Sequence, residues 1–257
     1  MATLRAVHLE TAHGSPGQTQ GGTDPSPRPR KLRVLRWLPA RWVLTTGTAN
    51  RRVLHLTFDD GPHPEHTPRL LDLLAEHDAR ATFFLIGAHA ERHPDIARRL
   101  VSEGHRLGNH SWSHPHFDRI PRVQQQDEID RTDRLLQAFD GHERHDFRPP
   151  RGATPPGLLL DCLRRGRRIA YWSYDSLDYT QRAPAELIAV ARNHPVRGGE
   201  VILMHDDSAH SLELLRVMLP EWKAAGYVFE PLPARVGRDG RRGKFVSDKT
   251  TAGQDRS

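Results

Sequence analysis

Apolar positions along this chain follow two different periods. Largely apolar runs at Val53–Phe58 (VLHLTF), Ala81–Ile86 (ATFFLI), Ile169–Tyr174 (IAYWSY) and Val201–Met204 (VILM) predict buried strands. Shorter strands fit near His105–Asn109, at Phe147 and at Tyr227–Phe229. Between them the spacing turns helical. Thr67 and Pro68 read as an N-cap and first helical residue, followed by Leu70, Leu71 and Leu74 on one face. Pro94 opens a helix that buries Ile96, Leu100 and Val101 and stops at Gly104. A longer helix runs from about Arg122 to Phe139 and ends at Gly141, and others fit 156–165, 184–193 and 211–223. About seven strands alternating with helices imply parallel strands joined by right-handed crossovers. The expected class is α/β, as a barrel or an open sheet, without internal repeats.

The ends follow neither period. Residues 1 to about 30 are rich in Gly, Ser, Thr, Pro and Gln, and the last twenty look similar, so both ends are expected to be disordered. This divides the chain into a basic leader (1–48), a folded domain (49–234) and a basic tail (235–257). At 257 residues, 36% apolar and 27% charged, the composition suits one such domain.

The net charge of +6 suggests a nucleic-acid partner until it is located. Residues 1–50 carry +5 and residues 235–257 carry +4, which leaves 51–234 at −3. A nucleic-acid binder needs its basic face on the folded body, so none is expected. The basic ends read as solvated charge able to touch an anionic surface. No stretch approaches the ~20 apolar residues of a membrane helix, and Arg33, Arg36 and Arg41 interrupt the short run Leu32–Leu44. The first twenty residues lack the apolar run of a signal peptide, which makes a cytoplasmic chain the default expectation. The single cysteine, Cys162, can form no internal disulfide.

Polar clusters follow the predicted strands. Asp59-Asp60-Gly61-Pro62 comes after the first, and His110-Ser111-Trp112-Ser113-His114 after the third. Arg148 to Gly152, Asp175 to Tyr179 and His205-Asp206 follow later ones. In a parallel barrel all of these ends lie on one face, where active sites form. Two histidines spaced i, i+4 with one carboxylate give a metal three protein ligands and leave positions open, the catalytic arrangement. A second carboxylate can serve as base and a separate histidine as acid. Taken singly, each cluster has a plainer reading: the Asp-Asp-Gly-Pro run is also a turn, and Arg148 also suits a surface position before prolines. His63, His66, His116 and His210 read as rim or surface residues.

The ordered set TFDDGP (57–62), HSWSH (110–114), RPPRG (148–152), DSLDY (175–179) and LMHD (203–206) resembles the motifs of the polysaccharide deacetylases, carbohydrate esterase family four, over about residues 50–232. The resemblance implies a distorted (β/α) barrel with fewer than eight strands. It also implies one divalent ion, usually zinc with cobalt also accepted, held by Asp60, His110 and His114. Asp59 becomes the general base, oriented by Arg148, and His205 the general acid, held charged by Asp178. The backbone N–H of Arg151 becomes an oxyanion donor, and Ile202 and Met204 line a pocket for the acetyl methyl. The implied substrate is an N-acetylated amino-sugar polymer or oligomer: chitin-like, peptidoglycan or lipid-linked. Two departures bear on specificity. Arg151 stands where an aromatic residue is common and favours an acidic substrate, and Tyr179 stands where Trp is frequent. The rival readings are the same site acting on another amide, an imide or an O-acetyl ester, and a carbohydrate-binding pseudoenzyme.

Overall fold

The computed structural model describes residues 26–29, 35, 37–47 and 52–234. Among these lie eight strands: β1 (Val43–Leu44), β2 (Val53–Asp59), β3 (Thr82–Leu85), β4 (Arg106–Asn109), β5 (Ile169–Ala170), β6 (Tyr174–Asp175), β7 (Val201–His205) and β8 (Val228–Phe229). Seven helices accompany them: α1 (His66–Glu76), α2 (Gly87–Arg92), α3 (Pro94–Ser102), α4 (Arg122–Asp140), α5 (Pro156–Arg164), α6 (Pro184–Asn193) and α7 (Ala209–Ala224). The main sheet runs β4-β3-β2-β7-β6, with β8 also on β2, and β1 pairs with β5. Every ladder is parallel. Phe147 bridges Asn109 of β4 to Ile169 of β5, and Thr46 meets Glu200 at the start of β7. Among the described residues these bridges carry the sheet round without a continuous closing ladder, so the α/β barrel is a distorted one.

Strand alternation sorts the core into two layers. Leu54, Leu56 and Phe58 of β2, Phe83 and Leu85 of β3, and Ile202 and Met204 of β7 pack outward against the helices. There they meet Leu70, Leu71 and Leu74 of α1 and Leu215, Met218 and Leu219 of α7. Each fully buried Leu or Phe contributes roughly 1.5–3 kcal/mol. Phe84, Phe147, Ile169, Val201 and Leu203 form a second buried cluster, which Cys162 of α5 joins. Burial pushes the Cys162 thiol up to about 12, partly offset by Arg167.

Several elements differ from expectation. Val43 and Leu44 fall in the stretch assigned to the leader, yet they are buried and form β1. The run Ile169–Tyr174 divides into β5 and β6, because Tyr171 turns to pair with Leu44 and Ser173 with Val201. Phe147 forms isolated bridges rather than a strand. Helix α1 starts at His66, so Thr67 lies inside it instead of capping it. Residues 26–29 also fall in the stretch expected to be disordered, yet Arg28 bonds Glu200 at 2.7 Å and the Pro27 carbonyl accepts from Asp175 N; the expectation for residues 1–25 and 235–257 lies outside the described residues.

Candidate functional site

The carboxyl ends of the strands meet at one cavity, lined by Asp59, Asp60, His110, His114, Arg151 and His205, with Gly152, Trp172, Tyr179 and Leu203 as its walls. Register sets this up. Asp59 pairs with Phe84 on one side and His205 on the other, so the last residues of β2 and β7 stand side by side. Thr57, Asp59, Leu203 and His205 share the inner face.

Asp60, at φ 75°, turns the chain out of β2. Asp206 fixes the turn behind it. Its carboxylate accepts from Thr67 Oγ1 at 2.5 Å and lies so close to Gly61 that a Cβ there would sit 2.2 Å from either oxygen. Burial pushes the Asp206 carboxyl up to about 7.

His110 and His114 each bring Nε2 to 3.3 Å from Asp60 Oδ1. His110 Nδ1 donates to the Arg148 carbonyl at 2.8 Å. A carbonyl only accepts, so that bond fixes the proton on Nδ1 and turns the Nε2 lone pair toward Asp60. Asp60 Oδ1 is buried without a hydrogen-bond partner. One ligand atom from each of the three side chains lies within 4.8 Å of the others. A divalent cation fits this donor set: a buried carboxylate oxygen lacking a donor, facing imidazole nitrogens. Burial alone would raise the Asp60 carboxyl; His110 beside it, with His205 and His114, holds it well below the usual carboxylate range.

The loop carrying the two histidines is clamped from below by α4. Glu128 accepts from the Trp112 and Ser113 backbone N–H at 2.9 and 2.8 Å, and from Ser113 Oγ at 2.8 Å. Asn109 accepts from Ser111 N at 2.9 Å and donates to Asp133 at 2.7 Å. Three of the six described non-glycine residues with positive φ line this cavity, Asp60, His114 and Arg151, and a fourth, Ser111, lies in the loop between the two histidines. Such conformations persist where the surroundings over-determine them.

Arg148 is fully buried, ruling out the plain surface reading. Its Nη1 donates to Asp59 Oδ1 at 2.7 Å and Thr57 Oγ1 at 2.8 Å. Nε and Nη2 bond the carbonyls of Ala170 and Tyr171, and the guanidinium lies 4.1 Å from the Phe84 ring centroid. Across the cavity, His205 Nδ1 donates to Asp178 Oδ1 at 2.8 Å. The other Asp178 oxygen accepts from the His205 backbone at 2.7 Å and from Ser211 Oγ. Although burial opposes it, Asp178, followed by Asp60 and Asp59, pushes His205 up to about 10. Tyr179 stands edge-on to His205 at 5.3 Å and donates to Asp175 at 3.4 Å. Burial pushes the Asp175 carboxyl up to about 6.

All the expected site residues except Ile202 and Met204 therefore converge on this cavity or directly behind it. Those two belong to the outer core layer, and Leu203, with Trp172, walls the cavity instead. The reason is parity: a residue one position off turns to the other face of a strand. Of the four flanking histidines, His116 is exposed and His63, His66 and His210 are partly buried. His63 and His66 stack at 4.4 Å, and His210 donates to the Asp178 carbonyl. A second, open cavity of about 380 Å³ adjoins the first, sharing Asp60 and His114 and continuing past Ile86, His89, Arg92 and Asp207. No described helix is long and apolar enough to cross a membrane.

Residues 46–186 match the family model described as polysaccharide deacetylase. A peptidoglycan-N-acetylglucosamine deacetylase of Bacillus cereus is 34% identical over 210 residues, 77% of this chain and 75% of that one. A chitooligosaccharide deacetylase of Azorhizobium caulinodans is also 34% identical, over 72% of this chain and 95% of its own length. The crystal structure of a peptidoglycan N-acetylglucosamine deacetylase in complex with 4-naphthalen-1-yl-N-oxidanyl-benzamide superposes with a TM-score of 0.70 at 32% identity, covering 74% of this chain and 91% of that one. A family-four pseudoenzyme from Bacillus anthracis superposes at 0.68 with 25% identity, covering 77% and 69%. By its matched domain and its relatives alike, the chain belongs to the polysaccharide deacetylase family.

Proposed function

We propose that this protein is a metal-dependent hydrolase that removes N-acetyl groups from an amino-sugar polymer or oligomer. The observation that carries this reading is the pairing of Asp59 with Arg148 and of His205 with Asp178, both beside the Asp60, His110 and His114 donor set. A divalent ion held by those three, zinc first and cobalt as a substitute, supplies Lewis-acid polarisation of the acetamide and brings the pKa of water from ~15.7 toward ~7.

The chain's own groups do the rest. Asp59, its carboxylate fixed by Arg148, takes the proton of the attacking water. The Arg151 N–H stabilises the charge that develops on the carbonyl oxygen. His205, kept protonated by Asp178, gives its proton to the departing amine. Leu203 and Trp172 form an apolar wall suited to the acetyl methyl. The adjoining cavity has room for a neighbouring sugar, which favours an oligomer over a single residue. Arg151 in the wall favours glycans that carry a carboxylate. The Bacillus anthracis pseudoenzyme shares the family likeness, so what supports hydrolysis in this chain is the presence of Asp59, the Asp60, His110 and His114 set and His205 together.

The test is acetate release from N-acetylglucosamine oligomers by metal-stripped protein, with and without zinc or cobalt. Asp59→Asn should bind the ion and lose about 10²–10⁴-fold in kcat. An ion-loaded protein that releases no acetate redirects the reading to another amide, an imide or an O-acetyl ester. If no ion binds, the reading fails.

A further inference from the structure

The run Trp37-Leu38-Pro39-Ala40-Arg41-Trp42 takes no part in the cleft, and all six residues are exposed. Trp37 is 89% exposed, and Arg41 lies 4.4 Å over the Trp42 ring. The position of this run in the barrel is defined. The Trp42 carbonyl accepts from Ile169 N at the start of β5. The neighbouring Arg168 bonds Asp146 and the Pro233 carbonyl, and Arg106, first residue of β4, bonds the Leu232 carbonyl. The run and the point where the C-terminal tail leaves the body thus share the amino-end side of the strands, away from the cavity at their carboxyl ends.

Charge points the same way. Residues 26–47 hold six Arg and Lys and no acid, and residues 235–257 hold seven against three Asp and Glu, whereas 51–234 carries −3. Two exposed tryptophans and a leucine with an arginine, flanked by cationic chain, match the chemistry of an anionic lipid–water interface. Trp settles at headgroup level there, and cations are drawn to the surface. A nucleic acid would call for a basic face across the acidic body, and a purely electrostatic partner leaves the tryptophans unexplained.

We infer that the Trp37–Trp42 run is a docking face for an anionic phospholipid bilayer, which holds the protein with its cleft turned away from the membrane. The inference is independent of what the cleft hydrolyses.

The test is co-sedimentation of the full chain with vesicles of phosphatidylcholine alone and of phosphatidylcholine mixed with phosphatidylglycerol. Binding should appear with the mixed vesicles only and weaken as salt rises. Brominated lipid in those vesicles should quench the tryptophan emission. Each cation at such a surface contributes about a fivefold factor, so Trp37→Ala combined with Arg41→Gln should lower partitioning at least that much. The variant should keep the wild-type circular dichroism spectrum and activity on soluble substrate. Equal binding to both vesicle types, binding to neither, or an unaffected variant overturns the inference. So does duplex DNA that binds more tightly than the vesicles and loses affinity in the same variant.

Discussion

His110 and His205 stand in one cavity and make the same bond, each donating from Nδ1 over 2.8 Å, yet to opposite kinds of acceptor. For His110 the acceptor is a backbone carbonyl, which fixes a tautomer and adds no charge. For His205 it is the Asp178 carboxylate, which holds the ring protonated up to about 10. The lesson is that the atom behind an imidazole decides its chemistry. A carbonyl behind it leaves a neutral ligand, and a carboxylate behind it leaves a proton donor. The supports differ as well: the ligand loop hangs on Glu128 of α4, while Asp178 is shared with Ser211 of α7.

The comparison breaks most visibly at Asp178. In Asp178→Asn the ring loses its anionic partner and gives up its proton more readily. The alkaline limb of the kcat profile should then fall from near 10 toward the ordinary histidine value of about 6.5, a loss of about 100-fold two pH units above it. Zinc affinity, read by calorimetry, should be unchanged. With an ion on Asp60, part of what raises His205 is offset, so the wild-type limb lies somewhat below 10 in the loaded enzyme. The same shift bears on stability. A group raised on folding contributes fully below its unfolded value and loses that contribution as pH climbs through the folded one. The wild type should therefore lose part of its thermal stability between pH 6.5 and 10, and Asp178→Asn should lose less across that window.

Glu128→Gln probes the other half. It replaces an acceptor-only carboxylate with an amide that meets two backbone donors, so the histidine loop loosens. The expected outcome is about tenfold weaker zinc binding with the alkaline limb in place. A limb that moved with it would mean the two halves are not separately supported. The smallest effect should come from Thr57→Val, which removes a hydroxyl that accepts from Arg148 and donates to the Ile202 carbonyl at 2.6 Å. Denaturant unfolding should report a cost of about 1 kcal/mol. A cost near zero would show that Asp59 and the Ala170 and Tyr171 carbonyls hold the guanidinium without the hydroxyl.

Much of the site was legible because its chemistry follows strand ends, where register is tight: Asp59, Asp60, His110, His114, Arg148 and His205 could all be read from the sequence. What escaped did so for identifiable reasons. Leu203 has the same parity as His205, and two-residue alternation would have chosen it over Ile202 and Met204. Glu128 lies in the polar run VQQQDEIDRTD of α4, where nothing separates a buried acceptor from surface carboxylates. Helix α2, GAHAER, is too short and too weakly apolar to show a period. Thr67 looked like a cap because its hydroxyl suits one, but Asp206 occupies it instead. The two-residue β1 is defined by its partner β5 rather than by its own sequence.

The buried thiol of Cys162 has a practical consequence. Burial keeps the thiol protonated at pH 7, so almost none of the thiolate that alkylating reagents attack is present, and the side chain is buried out of their reach. A cysteine introduced at an exposed position such as Val123 on α4 would then be the single nucleophile available to a maleimide dye. The native chain, used without further substitution, is a ready host for one fluorophore at a chosen site, and so for reporting which way the molecule faces on a surface.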